Sequence, residues 1–392
     1  MQVTFGGQIF ISLTNRLETS SALRHTGKMD PFSQAVLGGA VAQLFFHRRL
    51  GRRAFVMGAI GGAVPDFDIV YQVDQWSSWV HHRGITHSLF FPFVAGPVLA
   101  VAAWLLRKSN NKRKNRPPDP PGDFSAYILV WVLAILTHPL LDLMTPYGTQ
   151  LLLPFSNQRF AVNAMAIIDP MFTVPLMISA AIALLMPKRL RLVASSAAVA
   201  LLISNGFIYY AWTLNNRVED FAKSQLQAEG VADARITGYP TVFQAFLRRI
   251  LVERPNEVRV GYISAWQPSS IAWQSFQPRH HPLIDKVKES RGGQILHWFS
   301  MSRDYYRIVE QDNQIIVEGH DLRYGIPGPA DIGFWGVRAV FDTDKQPVLP
   351  VARFTNRPRL NMAGVKMIFD AAAGNQQNQF FTKKDLSDDF RE

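Results

Sequence analysis

The sequence predicts an α-helical integral membrane domain followed by a soluble, β-rich α+β domain. Three observations predict it. Apolar residues make up 48% of the 392 and charged residues only 18%, a lower charge density than soluble globular chains carry. The apolar runs crowd into residues 33–213, whereas 214–392 read as ordinary mixed sequence. Between the apolar runs lie "RRLGRR" (48–53), "RKSNNKRKNR" (107–116) and "PKRLR" (187–191), basic connections with no acid among them. That is the signature of cytoplasmic loops in a multi-pass membrane protein.

Residues 1–28 lack the sustained apolar core of a secretory signal. They are expected to be an N-terminal extension, with the functional chain beginning near Met29. The membrane-embedded part then covers 29–213, an extracytoplasmic soluble domain 214–370, and a polar tail 371–392. Spanning a bilayer takes about 20 mostly apolar residues. His87–Leu106, Ser125–Thr145, Asn163–Met186 and Leu192–Leu214 meet or approach that. Ser33–Phe46 and Ala54–Pro65 are shorter, rich in Gly and Ala, and suit short or re-entrant elements that lean on neighbours. The expected total is about five or six membrane helices.

The positive-inside rule places the three basic connections in the cytoplasm, which makes the Asp66–His87 and Thr145–Val162 loops external. Residues 214–392 follow a helix running outward, so they are expected in the periplasm of a bacterial inner membrane. The net charge of +11 resides largely in these clusters, so lipid rather than nucleic acid is the expected partner. Within the soluble part, residues 215–230 continue as a helix. "RIVEQDNQIIVEGHDLRYG" alternates around Asp312-Asn313 as a β-hairpin, and "VGYISAW" and "FWGVRAVFD" read as strands.

The chain has no cysteine, so a metal site here must use His, Asp or Glu. Acids are scarce between residues 31 and 216, yet "VPDFDIV" (64–70) supplies Asp66 and Asp68 and "HHRGITHS" (81–88) supplies His82 and His87. In "THPLLDLMTPYGTQ", His138 and Asp142 are four apart and share a helix face. Ionisable groups at membrane depth are costly unless partnered. The six residues Asp66, Asp68, His82, His87, His138 and Asp142 are therefore the expected ligand set, with Asp68, His87 and His138 as catalytic residues. The donors suit a divalent metal such as zinc or manganese, as one or two ions. An extended "PDFD" would turn both carboxylates to one side. Thr86 is placed to cap the next helix, with His87 in its first turn.

Any one of these groups could equally be a helix-packing hydrogen bond or an interfacial side chain; convergence of all six is what favours a metal. His81 points away from its neighbour and is not a ligand. Asp74 reads as a solvated charge, Asp169 as a helix cap, and Arg83 as a group that orients an anionic substrate or pairs with Asp68. His280, His281, His297 and His320 have no ligand partners at suitable spacing. Neither His-Glu-x-x-His nor G-x-S-x-G occurs. A histidine-nucleophile phosphatase would use the "HPLLD" spacing but lacks the basic phosphate-binding motifs.

Five motifs in order, "MDPFSQAVLGGAVAQ", "GRRAFVMGAIGGAVPDFD", "HRGITHSL", "HPLLDLMTPYGTQLLLPFS" and "IIDPMFTVPL", resemble the YbcI/YdjM-type family of membrane-bound metal-dependent hydrolases. The resemblance covers about residues 29–213, and many members have a histidine where this chain has Gln34. It implies a metal and hydrolysis without naming a substrate. With the site placed at the periplasmic membrane face by the basic loops, the expected function is hydrolysis by a metal-activated water, on a lipid or lipid-linked substrate. The alternative is a non-catalytic membrane protein with a structural metal site and an external partner-binding domain.

Overall fold

The computed structural model describes residues 31–120, 122–327, 332–356 and 362–375. The expected extension over 1–28, the start at Met29 and the tail beyond 375 lie outside the described residues. Helix α1 (Pro31–Leu50) turns back at Gly51, whose φ of 60° suits glycine, into α2 (Arg52–Ala63). The two helices touch backbone to backbone. A Cβ on Gly38 would lie 2.4 Å from the Gly58 carbonyl oxygen, and one on Gly62 would lie 2.3 Å from that of Gln34. Small residues at this spacing give close helix contact in a membrane, where dispersion replaces the hydrophobic effect.

Pro65 opens a 3-10 turn over Val64–Val70, followed by the short α3 (Ser77–Val80) and a second 3-10 turn at Ile85–His87. Then come α4 (Phe91–Arg113), α5 (Asp123–Leu143), α6 (Pro170–Leu185) and the long α7 (Leu190–Ala228). Among the described residues, α4, α5 and α7 are long and apolar enough to cross a membrane. The expectation of five or six spans is corrected to these three. Helix α1 has the length but buries Gln34, Gln43 and His47. The 12 residues of α2 reach about 18 Å, and the 16 of α6 about 24 Å, against a hydrocarbon core of about 30 Å.

The three basic connections meet at one end of the bundle. Arg49 pairs with Asp123 at 2.7 Å, and Arg53 and Arg107 share Asp119 at 3.0 Å each. The His47 ring nitrogen meets the Pro187 carbonyl at 2.9 Å, and Arg52 donates to that of Leu184. The turns bearing Asp66 and His87 lie at the other end, where the strands also sit.

Those strands form two four-stranded antiparallel sheets, each a meander. The first is β1 (Arg235–Pro240), β2 (Leu247–Arg254), β3 (Glu257–Ser264) and β4 (Gln274–Phe276). Helices α8 (Pro282–Glu289) and α9 (Arg291–Phe299) precede the second, β5 (Asp304–Gln311), β6 (Gln314–Asp321), β7 (Trp335–Phe341) and β8 (Pro347–Thr355). A last helix, α10, covers Met362–Ala372. The β5–β6 hairpin turns at Asp312-Asn313, both at positive φ (51° and 58°), as a two-residue hairpin loop requires.

Helix α7 continues through residue 214 as one rod. Its stripe Leu214, Val218, Ala222 and Leu226 packs on Ile250, Val252 and Ile263 of the first sheet. Two buried arginines fasten the strands to the loops at that end of the bundle. Arg248 donates to the carbonyls of Asn163, Ala164 and Ala211, and Arg323 to those of Pro146 and Tyr147 while pairing with Asp321 at 2.7 Å. Phe299 of α9 stacks on Trp79 of α3 at 4.8 Å.

Candidate metal centre

All six expected residues converge. Two short turns and one helix bring them together: Asp66 and Asp68 on the first 3-10 turn, His87 on the second with His82 just before it, and His138 and Asp142 one helical turn apart on α5. Asp66 Oδ1 lies 3.3 Å from His138 Nε2 and 3.5 Å from His87 Nε2. Asp142 Oδ2 lies 3.3 Å from His87 Nε2 and 3.7 Å from His138 Nε2. The His87 and His138 rings are 4.7 Å apart, so the pair stands close enough to serve one ion.

Asp66 Oδ1, His87 Nε2 and His138 Nε2 are buried and have no hydrogen-bond partner. Such orphans are rare in folded proteins and call for an explanation. Asp66, His87 and His138 form a group able to hold a metal ion. Tetrahedral zinc with bonds of 2.0–2.1 Å has ligand–ligand edges of about 3.3–3.4 Å, against 3.3 and 3.5 Å here. Charge agrees with geometry. Asp66, Asp68 and Asp142 are three buried or near-buried carboxylates, and the cluster holds one guanidinium, that of Arg83, which pairs with Asp142. With neutral imidazoles, a divalent cation makes the cluster electroneutral, which burial at low dielectric favours.

The far sides of both ring systems are held. His138 Nδ1 donates to the Gly62 carbonyl, which leaves Nε2 as the lone-pair nitrogen facing Asp66. His87 Nδ1 lies 3.2 Å from Asp68 Oδ2. Asp68 is itself fully engaged: Oδ1 meets His82 Nδ1 at 2.6 Å, and Oδ2 accepts from Thr86 Oγ1 at 2.9 Å and from the Arg83 backbone N–H at 3.2 Å. This is the carboxylate–histidine arrangement that orients metal-binding rings. A second group, Asp68, His82 and His87, also has its ligand atoms close together. Unlike the first, it contains no orphaned atom other than His87 Nε2, which faces Asp66.

The Arg83 guanidinium does not reach Asp68. Its Nε lies 2.9 Å from Asp142 Oδ2, Nη1 donates to Thr145 Oγ1 at 2.8 Å, and the group covers the Tyr147 ring at 4.7 Å. Asp142 Oδ1 accepts from Gln34 Nε2 at 3.0 Å, so Gln34 also sits at the cluster. Neither Gly62 nor Thr145 stood out in the sequence. Their role rests on a carbonyl and a hydroxyl, and the "GGA" of α2 signals only close packing.

Local expectations fare unevenly. "PDFD" is a 3-10 turn rather than extended, which sends Asp66 to His138 and Asp68 to His82 with His87 between. Thr86 caps no helix; it binds Asp68, and His87 precedes α4 in its own turn. His81 is exposed and packs edge-on against Tyr71 at 4.9 Å. Asp169 caps α6 through the Met171 N–H. Asp74 is paired with Arg291 at 2.8 Å.

The turns bearing Asp66, Asp68 and His87 lie outside the spanning helices. Burial pushes the Asp66 carboxyl up, but His138 and His87 outweigh it and hold the group well below the usual carboxylate range. Burial pushes the His87 imidazole down, yet Asp66 and Asp68 raise it to about 9. A proton on His87 and a divalent cation would compete for the same carboxylates.

The fold and this cluster define a class: a protein with several membrane-crossing helices and a buried His–Asp cluster able to hold a metal ion, beside a β-rich domain. Residues 29–215 match the family described as YdjM inner membrane protein, which bears out the resemblance read from the motifs. The chain is also similar to "Uncharacterized protein YfhP" of Bacillus subtilis (strain 168), 27% identical over 111 residues. That stretch covers 28% of this chain and 30% of the relative, so the chain spans under a third of it. No solved structure matches.

Proposed function

We propose that this chain is a membrane-bound metal-dependent hydrolase whose site faces the periplasm and takes a lipid or lipid-linked substrate. The observation that carries the proposal is the convergence of three buried, orphaned donors, Asp66 Oδ1, His87 Nε2 and His138 Nε2. Two imidazoles and one carboxylate make the three-ligand set that hydrolytic zinc sites use, and the same N/O donors accept manganese. When bound, the ion supplies Lewis acidity that brings the pKa of water toward neutrality. Asp66, His87 and His138 hold it; Asp142 is the further carboxylate in reach, kept in place by Arg83 and Gln34. Asp68 and His82 orient His87.

Exposed apolar side chains on the ligand-bearing turns support an amphiphilic substrate: Phe67, Val70, Tyr71 and Val73 beside Asp66 and Asp68, and Ile85 beside His87. Exposed aromatic and aliphatic groups at the end of a membrane bundle favour the headgroup–acyl boundary.

A structural metal is the second reading, favoured by the position of Asp142, which as a fourth ligand would close the shell. The test is purified full-length protein in detergent, assayed for metal per chain and for hydrolysis of phospholipid and lipid-linked phosphoesters. The proposal expects near-stoichiometric metal and turnover lost with the metal in Asp66→Asn. Full metal content with no turnover on either substrate class, and a metal-dependent melting temperature, would establish the structural reading.

A further inference from the structure

At the opposite end of the bundle, an open cavity of about 720 Å³ is lined by Arg48, Lys188, Arg189, Leu190, Arg191 and Leu192. Among the described residues, none of these four cations has a carboxylate within ion-pairing distance, whereas their neighbours Arg49, Arg53 and Arg107 occupy Asp123 and Asp119. The acids at this end are thus committed elsewhere, and the cavity keeps its positive charge. Helix α7 begins inside it at Leu190, and its N-cap residue Arg189 makes no side-chain capping bond. The first N–H groups of that helix therefore add a partial positive charge to the cavity.

The surroundings specify the kind of anion. Leu184, Leu185, Met186, Leu190 and Leu192 are all exposed around the cationic groups. Helix α6 runs from the strand end to this end of the bundle in only 16 residues, about 24 Å against a hydrocarbon core of about 30 Å, a mismatch that draws the connection after it toward the boundary between acyl chains and headgroups. A free phosphate would use the charge and leave the leucines in water; a phospholipid uses both. We propose that this cavity binds the headgroup of an anionic phospholipid, with the exposed leucines against its acyl chains. The site is independent of the metal centre and of the hydrolase reading.

The test uses the full chain in a zwitterionic detergent and measures binding of short-chain phosphatidylglycerol, with phosphatidylcholine of the same chain length and inorganic phosphate as comparators. Phosphatidylglycerol should bind, and the triple variant Lys188→Gln, Arg189→Gln, Arg191→Gln should weaken it by about a hundredfold, since each of the three basic groups near an anionic lipid contributes about a factor of five. These three side chains are exposed, so the melting temperature in detergent should stay at the wild-type value and report correct folding. The variant Lys188→Arg, Arg189→Lys, Arg191→Lys should bind as wild type. Lys112→Gln, Arg113→Gln, Lys114→Gln, which removes the same charge from the end of α4, should lose less than about threefold. Equal loss in the α4 variant would mean diffuse attraction and overturn the site. Equal binding of phosphatidylcholine, or saturation by inorganic phosphate alone, would overturn the anionic-lipid assignment.

Discussion

His87 is the residue on which the cluster turns, since one ring nitrogen faces Asp66 and Asp142 and the other faces Asp68. His87→Ala and His138→Ala should each abolish tight metal binding, measured as metal per chain after dialysis, while His81→Ala should leave it unchanged. Asp68→Asn should weaken affinity by about 10–100-fold, the usual effect of removing a carboxylate that orients a metal-bound imidazole. The raised His87 pKa gives two linked pH effects of defined sign. Metal must displace a proton from the ring, so affinity should fall as pH drops below about 9. In chelator-treated protein the protonated ring is what the carboxylates stabilise. That contribution is fully present below the ordinary value of 6.5 and is lost as pH rises through about 9. Melting temperatures of the metal-free protein at either side of this window check it. Gln34→His offers a third nitrogen next to Asp142 and should raise affinity for zinc in competition titrations.

The contact between α1 and α2 is what brings α5 close enough to serve the site. Gly62 does two things at once: its missing Cβ lets Gln34 approach, and its carbonyl fixes the His138 tautomer. Gly62→Ala would place a methyl group against the Gln34 backbone, which cannot rotate away. A cost of about 1–3 kcal/mol is expected, read as a lower melting temperature in detergent together with reduced metal content. Ala63→Ser, at the next position, should leave metal content at the wild-type level.

Across the whole molecule, buried arginines tie the β-rich domain to the loops that frame the metal centre. Arg248→Ala strands two loop carbonyls, those of Asn163 and Ala164, and removes a second donor from Ala211, whose carbonyl is already used within α7; each unsatisfied buried group costs about 1–3 kcal/mol. Faster hydrogen exchange at residues 163–165 and 247–250 should report the loosened junction. Orientation in the membrane is a separate question. Export reporters at Ser77 and Gly230 should both be active and one at Asn111 inactive; a cytoplasmic signal from Gly230 would overturn the periplasmic assignment.

Composition and charge placement alone determined that the chain is a membrane protein with its basic loops at one end, because partitioning and the positive-inside bias depend on local sequence. The scarcity of acids between apolar runs likewise exposed the six site residues, since burying charge is too costly to happen without a partner. The hairpin at Asp312-Asn313 was legible because its positive φ values call for those residue types. Only the tertiary structure decided where each helix begins and ends, and that the polar groups of α1 find partners inside the bundle. It also decided which way each donor faces. The 3-10 form of residues 64–70, the Gly62 carbonyl and the path of the Arg83 side chain arise from contacts between segments far apart in sequence, and spacing along the chain carries no information about them.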